Sequence, residues 1–391
     1  MRIASAISEL SPPARMAEHL AMQLEASHAH PVDLLVVSIT QQLQEHFLEI
    51  LGNLRTSLRP RHLLAMTAES VIGGDQELER VPAASAMVMQ LPGVKINTFH
   101  LTDDDWDEVL ADDDALRKRL DADDVRAFLM AADPFTTPVV QMLDSCSRLF
   151  PQAPIIGGMA SGMSQAGEAR LAADDHIHST GLVGVSISGP IQVDCIVSQG
   201  CRSIGPTFTV TKGNRNVVEE LNGKPALAAI EEMVNALPNR DRQMLASGGL
   251  QVGRVIDEGK GNFGRADFLI RSLVGVRRES GAILIGDLIQ VGQTLQFHVR
   301  DAQAADEELR LLLEGESLLA SQPLGAFLVS CNSRGTRLFE QPHHDVKMVR
   351  QILGNIPVAG FFAAGEFGPV GGRNFIHGHT ASMALFRALE G

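Results

Sequence analysis

The 391-residue sequence has no tyrosine and one tryptophan, and aromatic residues make up only 4% of it. A protein that stacks bases along a strand needs rings set in a basic groove. The basic groove is missing too: 47 acidic residues outnumber 33 lysines and arginines, for a formal charge of −14. Nucleic acid and anionic membrane surfaces are therefore excluded as natural partners. Cysteine is equally scarce. Cys146, Cys195, Cys201 and Cys331 form no C-x-x-C pair, which removes the usual zinc and dithiol sites and leaves too few thiols for a disulfide framework. No run of 18 apolar residues is present, and the first residues, MRIASAISELSPPARMAEHL, contain no continuous apolar segment of a signal peptide. These absences predict a protein of the reducing cytoplasm.

Familiar catalytic signatures are also missing. There is no G-x-x-x-x-G-K-[ST] phosphate loop, since Asn222-Gly223-Lys224-Pro225 has proline where the hydroxyl belongs. No G-x-S-x-G elbow, no G-x-G-x-x-G opening a helix after a strand, and no H-E-x-x-H occur. A P-loop NTPase, an α/β-hydrolase and a nucleotide-linked dehydrogenase are disfavoured, and no cofactor is implied.

What is present is a pattern repeated three times: apolar strand, amphipathic helix, apolar strand, glycines. Asp33-Leu34-Leu35-Val36-Val37-Ser38 is followed by Phe47, Ile50, Leu51, Leu54 and Leu58 at helical spacing, then by 62–67 and Gly73-Gly74. The second copy runs from 127–134 through Val139, Met142, Leu143, Cys146, Leu149 and Phe150 to Pro154-Ile155-Ile156-Gly157-Gly158. The third begins at 325–331, continues through Val346, Val349, Ile352 and Leu353 with Gly354 closing the helix, and ends at Pro357-Val358-Ala359 and a glycine turn. Copies two and three share a tail, at 181–187 and 375–382. The fold expected is α/β, with two similar halves, each a β-sheet flanked by helices, arising by duplication.

The stretch from about 190 to 215 reads as strands bridging the halves. Residues 225–247 read as helix, 267–299 as β, and 306–319 as helix. Segment 103–124 carries eleven Asp or Glu residues but lacks the D-x-[DN]-x-[DN]-G calcium pattern, so it reads as a solvated helical face with Thr102 as the N-cap.

The last glycine turn is the strongest site signal. Between Phe361 and Asn374 it places Gly365, Glu366, Gly368, Arg373 and Asn374 around four glycines, where the backbone can bend and approach a ligand closely. Cys331, Asn332 and Arg334 lie at the end of the preceding strand, where α/β sheets present ligand-contacting groups. Guanidinium at Arg334 or Arg373 matches a carboxylate, and Glu366 accepts from an ammonium group, so the two signs together suit an amino acid. His377 comes from the next strand. The competing readings are an ion pair between Glu366 and Arg373, a Cys331 nucleophile served by His343 or His344, and a metal site among His343, His344, His377 and His379.

Several segments together resemble the FIST proteins. The N-terminal FIST domain is suggested by Met66-Thr67-Ala68-Glu69-Ser70-Val71-Ile72-Gly73-Gly74, by Ala132-Asp133-Pro134-Phe135 and by Pro154-Ile155-Ile156-Gly157-Gly158-Met159-Ala160-Ser161-Gly162. The C-terminal FIST domain is suggested by 198–206, 221–227, Ser330-Cys331-Asn332-Ser333-Arg334-Gly335 and the closing GEFGPVGG run at 365–372. The resemblance implies domains at 30–215 and 216–388. It also implies a ligand-sensing module for amino acids or related small molecules, fused to signalling domains in some bacteria and to an F-box in a eukaryotic relative. No F-box is expected before residue 30 and no output domain after 388. The expectation is therefore a sensor that signals through a separate partner. An enzyme using Cys331 and an interaction scaffold are the alternatives.

Overall fold

A computed structural model describes residues 1–27 and 31–389. Residue 30, the start of the first expected domain, lies outside the described residues. The chain packs into two compact units. Unit 1 takes in residues 1–198, 309–376 and those from 380 onward, and unit 2 takes in 199–308 with 377–379. This division follows packing and is different in kind from the linear domains 30–215 and 216–388.

Unit 1 is built from three repeats. Repeat one consists of β1 (Arg2–Ser8), α1 (Pro13–Ser27), β2 (Leu34–Thr40), α2 (Phe47–Leu58), β3 (His62–Ala68), the hairpin β4 (Ser70–Gly73) and β5 (Gln76–Glu79), and β6 (Ala84–Gln90). Repeat two consists of β7 (Lys95–Leu101), α3 (Trp106–Ala111), α4 (Asp113–Leu120), β8 (Val125–Ala132), α5 (Val139–Leu149), β9 (Ile155–Met159), the hairpin β10 (Leu171–Ala173) and β11 (His176–His178), and β12 (Leu182–Ser188). Repeat three opens with β13 (Ile191–Gln199). Unit 2 then intervenes with β14 (Cys201–Asn214), β15 (Val217–Leu221), β16 (Lys224–Pro225), α6 (Ala226–Ala236), α7 (Asn239–Gly248), β17 (Leu250–Val255), β18 (Phe268–Arg277), β19 (Ala282–Ile285) and β20 (Thr294–Arg300). Repeat three resumes with α8 (Ala302–Ser317), β21 (Gly325–Cys331), α9 (His344–Leu353), β22 (Val358–Ala363), the hairpin β23 (Glu366–Val370) and β24 (Arg373–His377), and β25 (Thr380–Ala388).

Each repeat forms the centre of one six-stranded sheet, and the three sheets share one topology. Their orders are β1-β6-β2-β3-β10-β11, β7-β12-β8-β9-β23-β24 and β13-β25-β21-β22-β4-β5. The central pairs β2/β3, β8/β9 and β21/β22 are parallel and are joined through α2, α5 and α9. A parallel pair requires such a crossover. The hairpin that follows each central pair leaves its own sheet and pairs antiparallel with that of another repeat: β4 with β22, β10 with β3, β23 with β9. A lone hairpin is marginally stable, so this cyclic exchange ties each repeat to the other two. The organising repeat is threefold, finer than the duplication into two halves expected from sequence. The mixed α/β character and the helix-flanked sheets are as expected.

The apolar pattern explains the layering. Leu34-Leu35-Val36-Val37 and its counterparts are continuous apolar runs because both faces of each central pair are covered. One face of all three sheets meets in a shared core that includes Met66, Met87, Leu129, Val185, Phe327 and Phe361. The other faces are covered by helices: Phe47, Ile50 and Leu54 of α2, Met142 and Cys146 of α5, and Val346 and Val349 of α9. Burying each such side chain stabilises the fold by about 1.5–3 kcal/mol.

The acidic segment forms α3 and α4. Thr102 does not cap a helix. Its N–H and hydroxyl donate to Asp105 Oδ2 at 2.7 and 2.9 Å, and Asp112 is the side chain that caps α4, accepting from the Asp114 and Ala115 amides. A carboxylate offers more acceptor sites than a hydroxyl and also favours the positive end of the helix.

Unit 2 is a seven-stranded sheet, ordered β14-β20-β17-β18-β19-β15-β16. Its core packs Phe208 edge-on to Phe297 and joins Ile230 and Met233 of α6 to Val252 and Ile283. The extended stretch expected at 190–215 is present as β13 and β14, the first in unit 1 and the second in unit 2.

Candidate functional site

In parallel sheets, ligand groups gather at the carboxyl ends of the strands. In unit 1 those ends converge from all three repeats on Ser161, just past β9. Its Oγ donates to the Phe362 carbonyl of repeat three at 2.5 Å and accepts from the Glu69 amide of repeat one at 2.8 Å. Asn332, just past β21, adds its amide. Oriented so that its nitrogen donates, it reaches the Phe362 carbonyl at 3.2 Å and Glu69 Oε2 at 3.3 Å. Arg337 grips Glu69 with two bonds of 2.8 Å and donates to the Asn332 carbonyl at 2.8 Å. Gly162 brings its backbone against Gln41 of repeat one, where a Cβ would lie 2.9 Å from Gln41 Cβ.

Below this rim lie Cys331 and Glu366. Cys331 ends β21 and accepts from Ser333 Oγ at 3.1 Å. Its thiol lies beside the Glu366 carboxyl. Glu366 opens β23 and is fully buried. Its Oε2 accepts from Thr380 N at 3.1 Å and Thr380 Oγ1 at 2.7 Å, while Oε1 has no hydrogen-bond partner among the described residues. Burial pushes this carboxyl up to about 8, against the pull of the Thr380 bonds. Two more buried acceptors without partners among the described residues, Gln41 Oε1 and Asp133 Oδ1, stand directly after β2 and β8. The carboxyl ends thus concentrate unspent hydrogen-bonding capacity.

Arg334 lies deeper still. It is fully buried, and its Nε and Nη2 donate to the two oxygens of Asp345, each at 2.8 Å. Ser330 Oγ donates to the same carboxylate at 2.8 Å. The guanidinium holds the Asp345 carboxyl well below the ordinary range against strong desolvation. Phe339 lies under Arg334 at 5.3 Å and is stacked on His344, whose Nδ1 meets Asp345 Oδ1 at 3.0 Å. His343 Nδ1 lies 2.9 Å from the Glu77 amide. Arg334 is therefore placed as a support for the strand end, with its fork occupied by Asp345.

The structure brings Cys331, Asn332, Gly365 and Glu366 together at the strand ends. The rest of the predicted set diverges, because β23 runs away from the turn before reversing into β24. Gly368 lies within β23. Arg373 is exposed at the far end, donating to Asp144 Oδ1 of α5 at 3.1 Å. Asn374 is buried there, tying Ile155 N, Ala153 O and Ser147 Oγ to β24 at 2.8–3.2 Å. His377 groups with unit 2. The Glu366–Arg373 ion pair is replaced by these separate partners. Arg373→Ala, a change at an exposed ion pair, should alter stability by no more than about 0.5 kcal/mol in urea unfolding. Among the described residues no group of three His, Cys, Asp or Glu side chains is disposed to hold a metal ion.

Sequence reasoning passed over Gln41, Glu69, Ser161 and Arg337 as site residues. Gln41, Glu69 and Ser161 lie within two residues of the end of a central strand, so aligning the three copies on their strand ends would have matched Gln41 with Asn332, and Glu69 and Ser161 with Ala364 and Gly365.

The protein is thus a mixed α/β protein with a polar cluster at converging strand ends. Comparison with known proteins shows its family: the FIST N domain matches residues 33–224 and the FIST C domain 226–369, and the chain belongs to the FIST family. It is 38% identical to the uncharacterized protein Rv0628c of Mycobacterium tuberculosis, over 99% of this chain and all of the relative. It is 39% identical to the uncharacterized protein Mb0898c of Mycobacterium bovis, over 86% of each. FIST domains are associated with sensory and signal-transduction roles and are suggested to bind small ligands. No helix among the described residues is long and apolar enough to cross a membrane.

Proposed function

We propose that this protein is a cytoplasmic sensor that binds an amino acid or a related metabolite at the converging strand ends and signals through a separate partner protein. The observation that carries this reading is Glu366, a fully buried acid with one oxygen unpartnered among the described residues, beside Cys331 at the end of β21. A ligand ammonium group supplies the missing donor and takes over the charge balance that the proton otherwise maintains. Asn332 offers an amide at the rim. Arg337 offers a guanidinium to a ligand carboxylate in competition with Glu69, while Arg334 braces the strand end from below. Gly365 keeps side-chain bulk away from the turn.

The test is thermal unfolding of the purified protein against the twenty amino acids and common metabolites. A ligand at 100 times its dissociation constant adds about 2.7 kcal/mol of stability. One stereospecific hit, lost in Glu366→Gln and weakened in Arg337→Ala, is the expected result. A hit undiminished in Glu366→Gln would remove the ligand from this site, and a blank panel would remove the amino-acid reading.

The same variant has a signature without ligand. A carboxyl raised to about 8 in the folded protein, against about 4.5 unfolded, contributes stability that is complete below pH 4.5 and is lost as pH rises through 8. Glu366→Gln should flatten that decline by on the order of a few kcal/mol between pH 5 and 8, read from urea midpoints. An equal slope in both proteins would show that Glu366 titrates normally.

A further inference from the structure

A second polar cluster lies away from the strand ends, where the edge strands of two sheets in unit 1 meet. His100 on β7, the edge of the second sheet, stacks on His178 of β11, the edge of the first, with ring centroids 3.2 Å apart and planes 20° from parallel. His176 points the same way as His178, since alternate residues of a strand share a face, and its ring lies 6.4 Å from that of His178. The rings line a cavity of about 660 Å³ with Asp105, Arg119, Asp174 and Asp175. A second tie crosses the same seam: Thr98 Oγ1 of β7 donates to Asp174 Oδ2 in the β10–β11 turn at 2.7 Å. β11 is three residues long and pairs only with β10, itself three residues long. Among the described residues, these two ties and a 3.4 Å contact of His100 Nε2 with the Thr180 carbonyl join this edge to β7, while β10 itself is paired with β3.

We propose that the His100–His178 stack is an acid-sensitive latch that fastens the β11 edge of the hairpin to β7 while the rings are neutral and lets that edge come away when they take up protons. Two imidazolium rings at stacking distance repel strongly, and the groups facing them do little to offset this. Arg119 and His176 add positive charge. Asp105 is engaged by Arg119, Asp174 by His62, Thr98 and the Leu63 amide, and Asp175 by Arg55. Burial and the neighbouring rings accordingly push His178 down to about 4, and burial pushes His100 below the ordinary imidazole value. A folded-state value below the unfolded one means that the closed seam is fully stable above about pH 6.5. Its stability falls progressively as pH drops toward 4. The chain from Ser161 leads directly into β10, and Arg170, just before that strand, is held to Thr67 by 2.9 and 3.0 Å bonds. These bonds and the pairing of β10 with β3 keep β10 in place, so release is confined to β11 and its turn.

Hydrogen exchange of the full-length protein, expressed as protection factors at pH 7.5 and pH 5, tests this. Residues 175–178 should lose protection on the order of tenfold at pH 5, while β2, β3 and β21 keep theirs. His178→Phe retains a ring on His100 but cannot titrate, and its hairpin should stay protected at both values. Constant protection in the wild type, an equal loss in His178→Phe, or a loss shared with β2, β3 and β21 would overturn the latch. Should His178→Phe fail to fold, an NMR titration of the wild-type histidines decides. A His178 midpoint near 6.5 refutes the proposal, and one below 5 upholds it.

Discussion

Asp345→Ala should destabilise the protein by about 3–5 kcal/mol, because it leaves the Arg334 guanidinium buried without its counter-ion. Both residues are at most 1% exposed and share two 2.8 Å bonds. No rearrangement short of moving β21 or α9 returns the charge to water. The neighbouring Glu77 makes the loss depend on pH. This buried acid accepts from Val346 N at 2.9 Å, and burial together with the Asp345 charge pushes it up to about 8. Without Asp345 one of those two causes disappears. Glu77 then ionises more readily and replaces part of the missing charge, so the penalty shrinks as pH rises toward 8. Urea unfolding of Asp345→Ala at pH 6 and pH 8 reads both effects. The double replacement Arg334→Met with Asp345→Leu should cost clearly less than Asp345→Ala alone, as removing both charges of a buried pair leaves neither stranded. A penalty under about 1 kcal/mol for the single variant would show that water reaches the pair.

Arg334 also marks where the sequence stops being informative. A guanidinium after a strand, close to a glycine turn, has the same local pattern whether it greets a ligand or buries itself against an acid eleven residues on. Only the packing of α9 onto β21 distinguishes the two. The three strand–helix–strand copies were legible because periodicity is local: Phe47, Ile50, Leu51 and Leu54 reveal a helix face without reference to anything distant. The hairpin exchange was not legible, since β4 pairs with β22 nearly 290 positions away and short strands carry no label for their partners. This also explains the fate of the glycine turn. Its two ends read as one site in sequence, yet β23 carries Arg373 and Asn374 to α5 and leaves only Gly365 and Glu366 at the strand ends. Cys331 and Asn332 were found because they end a strand whose boundaries were visible.

Gly157→Ala should cost about 3 kcal/mol or more, the upper range for forcing atoms into a packed interior. Gly157 sits in β9 at φ 146°, in the region that side chains rarely adopt, and an added Cβ would fall well inside van der Waals contact with the Met130 carbonyl oxygen of β8. That oxygen belongs to a central strand with covered faces, so neither partner can move aside. The neighbouring Gly158 is confined as well: a Cβ there would lie 2.7 Å from the Gly365 carbonyl oxygen and 2.8 Å from Ala363 Cβ. β23 can approach β9 only across this bare stretch, with Phe367 opposite Gly157 and Glu366 opposite Gly158. The damage should therefore reach the candidate site as well as stability, displacing Glu366 and exposing Cys331. Denaturant midpoints with the rate of Cys331 labelling by a thiol reagent, in a background where the other three cysteines are serine, measure both consequences. Gly52→Ala supplies the control. Gly52 lies in α2 with open space around its Cβ position, and alanine there should be neutral or stabilise by up to about 1 kcal/mol through helix propensity. If Gly157→Ala matched Gly52→Ala, the close approach of β9 to its neighbours would be wrong, and with it the placement of Glu366 beside Cys331.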